Sequence, residues 1–126
     1  MLFDTDIFIW AQRGHPGAAK LIDQAPRRLI SAFSWMEFLQ CARDAAEFRL
    51  SKKFLLDLDF ETLPVTPEAS HRAMVYIEQF SLSHGLRAGD ALIAATAVEW
   101  QQPLATANAK HFKIIPSLDL KLFKPR

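Results

Sequence analysis

The sequence contains a single cysteine, Cys41, so no internal disulfide is possible. One thiol suits a reducing compartment. Cys41 is read as a small helix residue packed inside, because no base stands beside it to make it a nucleophile. No run approaches the ~18 consecutive apolar residues that a membrane-spanning helix needs. No basic segment followed by a long apolar run opens the chain, so no secretory leader is expected. The four histidines, His15, His71, His84 and His111, are scattered without the H-x-x-x-H spacing of a zinc site. No internal repeat, low-complexity tract or linker interrupts the chain. The net charge is only +1, so bulk charge does not announce a nucleic-acid partner. A local basic surface beside an acidic pocket is still compatible with one.

What remains is 126 residues, half of them apolar and ten of them Phe. That is one ordinary domain, residues 1–126, with enough apolar material for a core without staples. Leu2-Phe3 reads as a buried strand that stops at Asp4. A short helix over Ile7–Gln12 follows, capped by Thr5 or Asp6. Gly14-His15-Pro16-Gly17 is a breaker, and Ala18–Gln24 is helical. Leu29–Phe33 is a second strand, and Ser34 opens the next helix. A further helix spans Ala46–Leu58. Glu61–Val65 is a short strand, placed at an edge by Pro64. Thr66-Pro67-Glu68 starts a helix that runs to Ser83 and stops at His84-Gly85. Ala88–Trp100 is helical, and Pro103–Thr106 is a fourth strand. Asn108–Phe112 is a turn or single helical turn. Lys113–Ile115 and Leu118–Phe123 are short extended pieces. Strands alternating with helices predict an α/β fold, with a mostly parallel sheet covered on both faces.

In a parallel sheet, Asp4, Glu37, Asp90 and Asn108 all fall at the carboxyl edge. Open α/β sheets bind ligands there. Converging carboxylates repel one another unless a cation neutralises them. Hard oxygen donors suit Mg²⁺ or Mn²⁺. Each residue also has a local explanation. Asp4 and Asp6 are favourable helix caps. Ser34-Trp35-Met36-Glu37 fits the S-x-x-E capping box. Asp90 complements a helix dipole, and Asn108 suits a turn. The helix of Asp90 argues for more than a cap. Asp90, Ala94 and Ala97 share a face, with Ala91, Ala95 and Thr96 nearby. Such small residues let a helix approach the sheet closely.

Four segments in this order resemble a PIN domain, and within it a VapC-like toxin ribonuclease. They are Leu2-Phe3-Asp4-Thr5-Asp6, Ser34-Trp35-Met36-Glu37, Asp90 to Ala97, and Leu104 to Phe112. The resemblance covers nearly the whole chain. It implies a Rossmann-like fold, a divalent-metal site, endoribonuclease activity in the cytoplasm, a cognate antitoxin and a homodimer. It gives Asp4, Glu37, Asp90 and Asn108 catalytic places, with Asp4, Asp90 and Glu37 holding Mg²⁺ or Mn²⁺. Asp6 and Thr106 support the site. Asp6 stands where the family commonly has Asn or Ser, and Asn108 where many relatives have Asp. Arg27, Arg43 and Lys110 are candidates for RNA contact, as are Arg49, Lys52 and Lys53. Trp10 and Trp35 could stack on bases, or pack in the core or a dimer. His111 resembles a turn residue, not a ligand.

Two other readings compete. Asp4-Thr5-Asp6 resembles the D-x-D opening of a haloacid-dehalogenase-like phosphatase. Asp90, however, lacks a second acid about four residues on, where Ala94 and Ala95 stand. A non-catalytic binding module, with its acids serving as caps, is the third.

Overall fold

Alternation within very short strands sets up two cores on one sheet. The computed structural model describes residues 1–125 of the chain. Its strands are β1 (Leu2–Phe3), β2 (Leu29–Ser31), β3 (Glu61–Leu63), β4 (Leu104–Thr106) and β5 (Leu120–Leu122). They form a five-stranded sheet in the order β3-β2-β1-β4-β5, and every pair is parallel. Side chains alternate across a strand. Leu2, Leu29, Leu63 and Leu104 therefore enter one core, while Phe3, Ile30 and Ala105 enter the other.

The helices are α1 (Thr5–Gln12), α2 (Pro16–Gln24), α3 (Ala32–Gln40), α4 (Ala45–Asp57), α5 (Pro67–His84), α6 (Ala88–Glu99) and α7 (Ala109–Phe112). The Leu2 face packs on Ala69, Ala73 and Tyr76 of α5 and on the alanines of α6. The Phe3 face packs on Phe8 of α1, Ile22 of α2, Phe38 of α3 and Leu55 of α4. Phe3, Phe8 and Phe60 meet edge to face, as aromatic quadrupoles prefer. Ala91, Ala94, Ala95 and Ala97 have no exposed surface, so α6 does lie close against the sheet.

β3 is an edge strand, as Pro64 implies. Several boundaries differ from expectation, each for a local reason. Asp4 caps α1: its Oδ1 accepts from the Thr5 backbone N–H at 2.7 Å, so the helix starts at Thr5. His15 caps α2 through Nδ1, accepting from Gly17 and Ala18, with Pro16 in the first turn. A ring nitrogen thus does there what a Ser or Asp oxygen commonly does. Ser31, not Ser34, caps α3 and ends β2 early. The α4 boundaries shift by one residue because the Asp44 side chain accepts from Glu47 N–H. Residues 113–115 form a turn rather than an extended piece. Cys41 is exposed beyond the end of α3, not packed inside.

Candidate active site

The strand order reverses direction between β1 and β4. At such a switch point the loops after two adjacent strands diverge and leave a crevice at the carboxyl edge. Asp4 directly follows β1, and Ala107 and Asn108 follow β4. The switch point therefore sets carboxylates from the start of the chain beside a loop from its far part.

Asp4 is only 7% exposed. Its Oδ2 accepts from Thr106 Oγ1 at 2.7 Å, and its Oδ1 is the cap acceptor. Burial, and then the neighbouring Asp6 carboxylate, push its pKa up to about 7 against the pull of the Thr106 and Thr5 hydrogen bonds; Asp90 adds to the rise. Asp6 is also raised, first by burial, despite the Ala107 N–H that its Oδ2 accepts at 3.0 Å. Asp6 Oδ1 is buried without a hydrogen-bond partner among the described residues. The cap explanation for Asp4 is therefore true but incomplete. A cap uses one oxygen, and the other is held by a strand 102 residues further along the chain.

Glu37 comes to the site by the shift of the α3 cap. With Ser31 in that place, Ser34 is buried inside the helix and the expected Ser34–Glu37 box is not formed. Glu37 is free to accept from Thr5 Oγ1 at 2.6 Å, one residue from Asp4. Asp90 stands in the first turn of α6, its Oδ2 receiving the Arg87 N–H at 3.4 Å. Glu37 and Asp90 line one cleft of ≈ 280 Å³ with Phe33, Arg87 and Gly89. Gly89 permits that approach: a Cβ there would fall 2.6 Å from Phe33 Cζ.

Thr106 Oγ1 also accepts from Asn108 N–H at 2.9 Å, so one hydroxyl ties the loop to Asp4. The Asn108 side chain does not reach Asp4. It meets His111 Nδ1 at 3.1 Å, and the same nitrogen lies 2.9 Å from Asp90 Oδ2. His111 was expected to be a turn residue and instead touches an acid of the site. One turn of helix separates it from Asn108, and that spacing was the available signal.

The basic candidates are dispersed. Arg27 precedes β2 at the amino edge, opposite the acids, and binds Glu61 through two nitrogens. Arg43 pairs with Glu47 at 2.6 Å near the start of α4. Lys110 is exposed beside His111, and Arg87, absent from the expected set, is exposed on the cleft. Trp10 and Trp35 are half-buried.

Among the described residues, no three His, Cys, Asp or Glu side chains form a ready-made metal cage. The donors nevertheless suit one class of ion. Mg²⁺ is bound through one or two carboxylates and keeps several waters. Asp4 and Asp90 supply that number, and the raised carboxyls of Asp4 and Asp6 mark a place where added positive charge is welcome.

Solved structures similar to this chain include a toxin-antitoxin complex from Klebsiella pneumoniae, 26% identical with a TM-score of 0.77, covering 99% of this chain and 97% of that one. VapBC2 from Rickettsia felis, bound to a fragment of its promoter DNA, is 20% identical with a TM-score of 0.78, over 98% of each chain. VapBC-1 from nontypeable Haemophilus influenzae is 21% identical with a TM-score of 0.78, over 96% of each. No curated protein matches the sequence. The family model of the PIN domain matches residues 1–118, and the chain belongs to that family.

Proposed function

We propose that this chain is the toxin nuclease of a toxin–antitoxin pair, an endoribonuclease that hydrolyses RNA phosphodiester bonds with Mg²⁺ or Mn²⁺ held by Asp4, Asp90 and Glu37. The observation that carries this reading is the state of Asp4. A carboxyl that is 7% exposed, raised to about 7 and set beside Asp6 and Asp90 is a poor structural element by itself. It is well suited to a site completed by a cation. Membership in the PIN family and the likeness to a toxin-antitoxin complex support the same conclusion.

A bound divalent ion supplies an activated water and neutralises charge at the phosphorus. The chain's own residues do the positioning. Thr106 and the Thr5 N–H fix both oxygens of Asp4, leaving each a further lone pair for a ligand. Thr5 holds one oxygen of Glu37 and leaves the other to orient water. Asn108 and Asp6 tune the site by hydrogen bonding. Lys110 and Arg87 are exposed near the acids and would contact the RNA backbone in this reading, whereas Arg27 and Arg43 are engaged by Glu61 and Glu47. An antitoxin and a second copy of the chain complete the assembly in this reading. No helix among the described residues is long and apolar enough to cross a membrane.

The phosphatase reading needs a second acid about four residues after Asp90, where Ala94 and Ala95 stand buried. The test is cleavage of a structured RNA by the purified chain with Mn²⁺, beside Asp90→Asn and a chelated control. Wild-type cleavage that is lost in both other arms supports the reading. Equal cleavage by Asp90→Asn, with contaminating nuclease excluded, overturns it, and a calorimetric Mn²⁺ titration without binding favours a non-catalytic module.

A further inference from the structure

We infer that Phe33 and Arg87 form a nucleotide seat beside the acids, with Phe33 stacking on the base next to the scissile bond and Arg87 holding that nucleotide's phosphate; this rests on the reading of the chain as an RNA-cleaving nuclease. Phe33 and Arg87 line the same cleft of ≈ 280 Å³ as Glu37 and Asp90. Pockets that take drug-sized ligands measure ~300–1,000 Å³, so this one suits a single flat ring. It brings together an aromatic side chain, a cation and two carboxylates. An unpaired nucleotide offers a partner to the first two: a π face for the ring and an anionic phosphate for the guanidinium.

Phe33 is half-buried, and its ring tip is held by Gly89. A Cβ on Gly89 would fall 2.6 Å from Cζ and 2.7 Å from Cε2. The ring also packs against the core on the Leu2 face. A ring so held loses little freedom on binding, which favours its use as a stacking platform. Bare backbone at Gly89 therefore lets an aromatic side chain reach a cleft one residue from Asp90. Arg87 is exposed and, among the described residues, makes no ion pair. Arg27, Arg28, Arg43 and Lys53 are each engaged by a carboxylate. An uncommitted guanidinium can meet a phosphate through two parallel N–H bonds. Neither Trp10 nor Trp35 lines this cleft, so the stack falls to Phe33.

The test uses the full chain and an unpaired oligoribonucleotide that it cuts, chosen from a randomised pool with Mn²⁺ present. Binding is then read by fluorescence anisotropy with the metal chelated, on copies lacking the base at one position at a time. For wild type, one abasic position adjoining the cut should weaken binding about ten-fold, as loss of a base–aromatic stack does. Phe33→Leu keeps apolar volume and removes the π face. It should bind the intact oligonucleotide as weakly as wild type binds the abasic one, and the abasic position should then change nothing further. Arg87→Gln should keep the abasic effect and lower the slope of log affinity against log salt by about 0.7, the share of one phosphate contact on a single strand. Calorimetric Mn²⁺ affinity should stay at the wild-type value in both variants. An abasic effect that persists in Phe33→Leu, or a wild-type salt slope in Arg87→Gln, overturns the inference alone. If Phe33→Leu fails to fold, the wild-type scan and Arg87→Gln decide, and equal affinity at every abasic position overturns it. Failure of wild type to cut any member of the pool overturns the nuclease reading and the seat with it.

Discussion

Thr106 gives its hydroxyl proton to Asp4 across the junction of β4 and β1, at 2.7 Å and out of contact with solvent. This is the side-chain bond that most restrains the rise in the Asp4 pKa. Thr106→Val keeps the shape and removes the donor. Losing one hydrogen bond to a buried charged group costs about 1–3 kcal/mol. Denaturant melts at pH 8 should show a loss of that size, and Thr106→Ser should recover much of it. Unchanged stability in the valine variant would mean that Asp4 does not depend on this bond.

The raised Asp4 carboxyl fixes a sign for pH. It titrates near 7 in the folded chain, above the ordinary 3.8 that it regains on unfolding. Folding therefore favours the protonated form. That contribution is complete below about pH 4 and is lost as pH rises toward 7, by at most about 1.4 kcal/mol per pH unit. Metal-free wild type should lose stability relative to Asp4→Asn across this window. Chelated melts at several pH values measure the difference, and added Mn²⁺ at pH 8 should raise the wild type more than the variant. Parallel curves would show that Asp4 does not change protonation on folding.

The contact of Gly89 with Phe33 predicts a cost for adding a single methyl group. A Cβ 2.6 Å from the ring cannot be accommodated without movement. Overpacking costs about 1–3 kcal/mol, set against a gain of about 0.5–1 for Ala over Gly inside a helix. Gly89→Ala should therefore lower the thermal midpoint modestly. Phe33→Leu in the same chain should relieve it. A midpoint above wild type would show that the ring simply swings aside.

Met36 tests the proposed partner. It is 56% exposed and immediately precedes Glu37, so a segment crossing it reaches the acids. Met36→Lys should weaken antitoxin binding in a pull-down while shifting stability by no more than about 0.5 kcal/mol. Undiminished capture would place the antitoxin contact elsewhere.

Much of this was legible in the sequence, and the exceptions share a cause. Leu2-Phe3 followed by Asp4 gives a strand and its terminal carboxylate because apolar burial and charge exposure act over neighbouring residues. The alanines after Asp90 declare a close helix in the same way. Caps were less legible, since Ser31 and Ser34 are equivalent until the end of β2 is fixed by its pairing with β3. Glu37 fits a capping box on local grounds, and only the Thr5 hydroxyl from another helix draws it to the site. The neighbour of His111 is set by where α7 docks against α6. Arg27 reads as a plausible RNA contact until the parallel pairing puts it at the amino edge.

The switch between β1 and β4 also bears on timing. The central strand is made first, yet one of its partners lies 102 residues later. Closing so distant a contact is slow, because the entropy of the intervening loop is lost before the pairing repays it. A growing chain that has not yet reached Thr106 holds Asp4 without its hydroxyl donor. In the proposed reading, the acid cluster is thus complete only once β4 has docked beside β1.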